Sequence, residues 1–204
     1  MKKTMRVFVF MAIGLISITA AAQFGAKGGL GFSSLLIKDN DDNLTADFGN
    51  AGFSIHVGGG YEIDFSDQLS FEPALLLTQR KSSFDLNTLV TFNFLYLEMP
   101  LQMKYYFLDL GDSTRLYGLG GSSLGFLLSA KRDNDKLNVG GNRNDELKPL
   151  DVGINFGAGA QFFDALNVDL SASIGVTNLS NDVTNGLKNK NSVVRLTVTY
   201  QFGE

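Results

Sequence analysis

Residues 51–65 read Ala51-Gly52-Phe53-Ser54-Ile55-His56-Val57-Gly58-Gly59-Gly60-Tyr61-Glu62-Ile63-Asp64-Phe65. In an extended strand successive side chains point to opposite faces, so numbering parity sorts them. Ala51, Phe53, Ile55, Val57, Tyr61, Ile63 and Phe65 fall on one face, and Ser54, His56, Glu62 and Asp64 fall on the other. Strict alternation over this length is a strand signal and does not fit a helical period.

The same rule repeats along the chain. Leu95, Leu97, Met99, Leu101, Met103, Tyr105 and Phe107 oppose Tyr96, Glu98, Gln102, Lys104 and Tyr106. Val152, Ile154, Phe156, Ala158, Ala160 and Phe162 oppose Asp151, Asn155 and Gln161. Leu166, Val168, Leu170, Ala172, Ile174 and Val176 oppose Asn167, Asp169, Ser171, Ser173 and Thr177. Val194, Leu196, Val198, Tyr200 and Phe202 oppose Arg195, Thr197, Thr199 and Gln201. Residues 24–33 and 69–80 alternate more weakly. In 115–130, Gly118, Gly120, Gly121 and Gly125 blur the parity and suggest a bulge or register change. Pro73 and Pro100 fall inside expected strands, where a bulge at each or a displaced strand boundary is expected.

The connections alternate too. Ser66-Asp67, 108–113 and Asp164-Ala165 are short, whereas 34–50, 82–91, 131–150 and 179–191 are longer and polar. With a periplasmic N-terminus, every short turn lies on the periplasmic side and every long loop outside, as in outer-membrane barrels. Aromatics gather at the expected periplasmic ends: Phe24, Phe65, Phe71, Phe107, Tyr117, Phe162 and Phe202. Phe32, Phe53, Phe92 and Phe126 form a weaker outer band. The expected fold is therefore all-β, an eight-stranded antiparallel up-and-down transmembrane β-barrel. A soluble lipocalin-like barrel is the competing reading, but it needs its apolar face inside to hold a ligand. Eight strands leave an interior that side chains just fill, so a polar plug is expected rather than a channel.

The N-terminus fits export. Lys2, Lys3 and Arg6 precede the apolar run 7–18, followed by Ala20-Ala21-Ala22. That run is shorter than the ~20 residues of a spanning helix. Cleavage before Gln23 is expected, giving a signal peptide over 1–22 and a barrel over 23–204. A retained helical anchor is the alternative. The expected location is the outer membrane of a Gram-negative bacterium. The absence of cysteine excludes a lipobox, disulfides and thiolate metal sites. A net charge of −4 is mildly acidic and points to no nucleic-acid partner. Mean hydropathy is near zero, as two opposed faces average out.

Parity turns Glu62, Glu72, Arg80, Glu98, Lys104, Asp169 and Arg195 inward. Buried charges must be paired, so these seven are expected to form a structural lumen network, with Glu98, Lys104 and Arg195 sharing one cluster. A hydrolytic or proton-relay site is the sharper alternative. His56 is the single histidine and lies two residues from inward Ser54, so a lipid-modifying hydrolase is conceivable. A hydrogen-bonding role in a polar lumen is the plainer reading. One histidine does not make a metal site.

Gly121-Ser122-Ser123-Leu124-Gly125 matches G-x-S-x-G, but no helix pattern follows, so it is read as chance. Asp39-Asn40-Asp41-Asp42-Asn43 begins like a calcium loop, then departs at Leu44 and Asn50. Gly29-Leu30-Gly31 and Gly157-Ala158-Gly159 precede no helix and are read as small strand residues. No catalytic, cofactor or metal residues are assigned.

Tyr96-Leu97-Glu98-Met99-Pro100-Leu101-Gln102-Met103-Lys104-Tyr105-Tyr106-Phe107 resembles the fourth-strand signature of the PorT-like outer-membrane β-barrel family of Bacteroidota. Phe24–Leu30, Phe71–Arg80 and Gly125–Lys131 resemble that family's first, third and fifth strands. Both prolines then fall inside family motifs. The resemblance implies an eight-stranded outer-membrane barrel, and its namesake's part in protein secretion suggests an accessory subunit of an envelope machine. The terminal aromatic Phe202 is followed by Gly203-Glu204, a departure from the usual outer-membrane ending. The expected function is a non-enzymatic, monomeric scaffold that displays its outer loops. Its expected partners are outer-membrane lipid and an envelope protein reached through those loops.

Overall fold

The computed structural model describes residues 22–38, 52–85, 89–111, 113–133, 135–140, 145–179 and 188–202. The leader 1–21 and the calcium-like stretch 39–50 lie outside the described residues. Nine strands follow in order: β1 (Ala22–Lys38), β2 (Gly52–Ser66), β3 (Leu69–Asp85), β4 (Leu89–Asp109), β5 (Thr114–Arg132), β6 (Asp135–Leu137), β7 (Leu150–Phe162), β8 (Leu166–Gly175) and β9 (Lys188–Phe202). All but the three-residue β6 form one antiparallel ring, in which β1 pairs with both β2 and β9 and β4 pairs with β5. Closure gives every strand two neighbours, which satisfies the backbone where no water can.

Register fixes the tilt. Starting at Leu127, the paired residues are Tyr96, Thr78, His56, Gly29, Thr197, Asp169, Gly159 and Tyr117. The circuit returns to β5 at Tyr117 instead of Leu127, a stagger of ten residues. Such a stagger forces the strands to lean against the barrel axis.

Burial follows the expected parity. His56, Glu62, Arg80, Glu98, Asn155, Asp169 and Arg195 are buried, while Leu30, Ile55, Val57, Leu77, Ile154, Leu170 and Leu196 are exposed outward. The apolar side chains therefore form the outer wall, and the lipocalin-like arrangement is excluded.

Strand β5 keeps its odd residues Tyr117, Leu119, Ser123 and Leu127 inward straight through its glycines. The parity break comes later. Leu95 pairs with Ser129 and Tyr96 with Leu127, so Leu128 is a bulge and Ala130 becomes the inward residue. A second bulge falls at Phe107, and a register shift separates Asp64 from Ser66.

Neither proline produces the expected bulge, and neither marks a strand boundary. Pro73 stays opposite Leu101 and Pro100 opposite Ser123, with register unchanged on either side. Each proline lacks one N–H and so disturbs one neighbour only. Rungs are missing beside Pro73 toward β2, and beside Pro100 toward β3. The opposite ladders hold both strands in place.

Three aromatic or turn placements also differ. Tyr117 is fully buried in the lumen and is no girdle residue. Phe92 packs against an inner apolar cluster instead of joining the outer band. The β7–β8 turn centres on Phe163 and Asp164, both at positive φ, with Ala165 N–H donating to the Phe162 carbonyl at 3.1 Å. Two central residues at positive φ match the twist of a tight hairpin.

The outer connections are shorter than the sequence suggested. β3 runs to Asp85 and β4 begins at Leu89. The β5–β7 connection folds back on the barrel: β6 pairs with the end of β5, Val139 bridges Leu147, and Leu127 N–H donates to the Pro149 carbonyl at 2.7 Å.

Candidate functional site

Alternation on eight strands delivers one polar face to a narrow lumen, and the side chains there have only each other as partners. They segregate into two ion-paired clusters. Toward the periplasmic end Glu62 of β2 is the hub. It accepts hydrogen bonds from Lys104 Nζ at 2.6 Å, Ser70 Oγ at 2.6 Å and the Tyr106 hydroxyl at 2.7 Å, and another from the Gln201 amide. Lys104 also contacts Glu72, which in turn pairs with Lys27. β1, β2, β3, β4 and β9 are thereby tied across the lumen.

Toward the outer end Glu98 of β4 is the hub. Arg80 pairs with one of its oxygens, and Arg195 Nη1 lies 3.0 Å from the other. Arg80 also lies 3.7 Å from Asp151, and its guanidinium stacks 4.9 Å from the centre of the Tyr96 ring. Thr177 Oγ1 donates to Asp151 at 3.1 Å.

All seven residues read as inward are buried there. The expected single cluster is corrected in one respect. Glu98 and Arg195 do pair, but Lys104 belongs to the lower cluster with Glu62 and Glu72. Glu98 and Lys104 are six positions apart along β4, roughly 20 Å of extended chain, too far for direct pairing. Asp169 joins neither set of ion pairs. It lines a cavity of about 20 Å³ between the clusters, with Lys27, Asn155, Arg195 and Thr197. A second cavity of about 10 Å³ touches Arg80, Glu98, Ser123, Asp151 and Asn191. Spaces of this size hold about one water each and pass no solute.

Sequence reasoning missed Lys27. It sits on the weakly alternating β1, among Gly25, Gly28, Gly29 and Gly31, and only its register with Thr199 turns it inward. Asp151 was read as inward, but its pairing with Arg80 was not foreseen.

His56 is buried, and its Nε2 lies 3.2 Å from Thr197 Oγ1. Its ring packs over Gly29, where a Cβ would overlap the imidazole and the Leu196 carbonyl. Ser54 is buried as well, and no hydrogen bond joins it to His56 among the described residues. The pair faces the packed lumen and not lipid. The G-x-S-x-G stretch is continuous β5 strand, with no elbow.

Two apolar clusters flank the charged column. Near the periplasmic end Tyr106, Tyr117 and Leu119 pack together, with Lys104 5.1 Å from the centre of the Tyr117 ring. At the outer mouth Phe94, Tyr96, Leu127 and Ala130 of the wall meet Leu137, Leu147 and Leu179 from the outer connections. Lys148 N–H donates to the Leu179 carbonyl at 2.9 Å and locks the two connections together.

No curated protein matches the chain in sequence. Among solved structures it is similar to Neisserial surface protein A, at 14% identity and a TM-score of 0.52, covering 89% of this chain and 99% of that one. The outer membrane protein OprG from Pseudomonas aeruginosa aligns at 15% identity and a TM-score of 0.49, covering 90% of this chain and 97% of that one. The outer membrane enzyme PagL aligns at 15% identity and a TM-score of 0.46, covering 88% and 99%. A family model described as outer membrane protein beta-barrel domain matches residues 17–181. With its closed eight-stranded wall and outward apolar face, the chain belongs to that outer-membrane β-barrel family.

Proposed function

We propose that this protein is a sealed barrel, a non-conducting scaffold that holds its outer loops at the cell surface. The observation that carries this reading is the closed lumen. Two sets of its charges are paired across the bore, the cavities beside those pairs are about 10 and 20 Å³, and Leu137, Leu147 and Leu179 cover the outer mouth. A barrel so filled transports nothing, so its working surfaces are its rims and loops. Within the family we read the Tyr96–Phe107 motif as belonging to the PorT-like branch. We also take residues 1–22 as a cleaved leader. The test is conductance in planar bilayers. The folded protein should give no ion-conducting steps. Stable open channels would end the sealed-scaffold reading.

A further inference from the structure

Among the described residues the outward face of the barrel carries a row that does not suit hydrocarbon. Lys81 of β3 pairs across the sheet with Asn93 of β4, Asn93 with Lys131 of β5, and Lys131 with Lys136 of β6. The odd residues of β3 and β4 point outward here, and the Leu128 bulge turns Lys131 outward as well. All three lysines are exposed. The row spans three strand spacings, roughly 14 Å.

Like charges set directly opposite destabilise a sheet, and an anion lying against them relieves the repulsion. Lys131 and Lys136 are such a pair. Among the described residues no carboxylate forms an ion pair with Lys81, Lys131 or Lys136. Asn93 is set as a donor beside them. Its Oδ1 accepts from Gln79 Nε2 at 3.1 Å, so its Nδ2 is the group left to meet a ligand.

The tilt of the barrel says what surrounds this row. Rows descend toward the periplasm on passing from β5 to β1, because the circuit closes with a ten-residue stagger. Followed in that direction, the row runs Lys136, Lys131, Asn93, Lys81. One residue beyond the Arg80–Ser54 pair it reaches Phe53, then Phe32, then Val194. Charge gives way to aromatic and then to aliphatic, the order of headgroup, interface and hydrocarbon in a bilayer. The cations therefore stand at the headgroup level of the outer leaflet, with Lys81 lowest and able to snorkel upward.

We propose that Lys81, Asn93, Lys131 and Lys136 form a binding site for the phosphate groups of an outer-leaflet lipid. Below the row and Gln79, the outward Leu77, Leu95 and Leu97 offer the acyl chains an apolar wall. Ammonium groups suit phosphate as point charges, and three of them match a headgroup with more than one phosphate.

The test uses the full chain in phosphatidylcholine nanodiscs. They are doped with diphosphorylated lipid A or its fully dephosphorylated form, and lipid retention is measured by native mass spectrometry. The expected result is preferential retention of the phosphorylated lipid. Lys81→Ala/Lys131→Ala/Lys136→Ala should lower that retention by about a hundredfold, the worth of three cations at an anionic surface. The triple Lys→Arg variant should keep it, and heat-dependent electrophoretic mobility checks that both variants fold. Equal retention of the dephosphorylated lipid, or undiminished retention by the alanine variant, overturns the proposal. Inorganic pyrophosphate that binds the detergent-solubilised protein as tightly as the lipid would make this a free-anion site and overturn the lipid assignment.

Discussion

Arg195 and Glu98 are 97 residues apart in sequence and meet at 3.0 Å across the barrel lumen. Their strands, β9 and β4, are not neighbours in the ring. The contact is therefore a strut across the bore and not a rung of the ladder. Arg80 completes it from β3, so one carboxylate holds two buried guanidinium groups, of which Arg80 has Asp151 as a second, longer partner at 3.7 Å.

Removing the carboxylate should cost far more than a surface ion pair. Glu98→Ala leaves Arg195 without its anion and Arg80 with only the longer contact to Asp151, and breaking a buried pair from one side costs about 3–5 kcal/mol. The urea midpoint of the barrel refolded into vesicles should fall accordingly. Unchanged stability would mean that the strut contributes nothing.

Because the lumen holds two clusters, their energetics should separate. In double-mutant cycles, Glu98 and Arg195 should couple by more than about 1 kcal/mol, while Glu62 and Glu98 should add to within about 0.5 kcal/mol. Strong coupling between Glu62 and Glu98 would restore the single-network picture.

Gly29 is required by two neighbours at once. A Cβ there would overlap the His56 ring and the Leu196 carbonyl oxygen. Gly29→Ala should destabilise the barrel by about 1–3 kcal/mol through overpacking. Adding His56→Ala should relieve only part of it, because the backbone overlap remains. Full rescue would show that the ring alone sets the constraint.

The outer cap should hold its connections against the wall. Leu147→Ala removes a buried side chain from a cluster of wall and loop residues, at a cost of about 2–4 kcal/mol for the local unit. Residues 133–149 should become cleavable by protease added to whole cells, while the membrane barrel stays intact. A resistant segment would mean that the hydrogen bonds from Lys148 and Leu127 suffice.

His56→Ala separates scaffold from enzyme. With His56 hydrogen-bonded to Thr197 inside the lumen, cells carrying the variant should show the same lipid A and phospholipid profiles as wild type. A lost lipid modification would make His56 catalytic.

Parity, with the alternation of short and long connections, determined the architecture. Side chains alternate with a period of two, so the residues around His56 and Glu98 declared their faces without any knowledge of neighbours. The outward apolar wall and the inward set from Glu62 to Arg195 followed from that local rule, while the glycines of 115–130 left the facing of the fifth strand open.

What parity could not supply was distance around and along the barrel. Which charges meet depends on register and stagger, and these come from pairing between strands far apart in sequence. Hence Lys104 joined Glu62 and not Glu98, and Lys27 emerged from a glycine-rich strand with little pattern of its own. The Leu128 bulge that realigns Lys131, the prolines held in register by their unbroken side, and Leu137, Leu147 and Leu179 folding over the mouth have the same origin. Each is settled by closure of the ring, which no stretch of the chain carries alone.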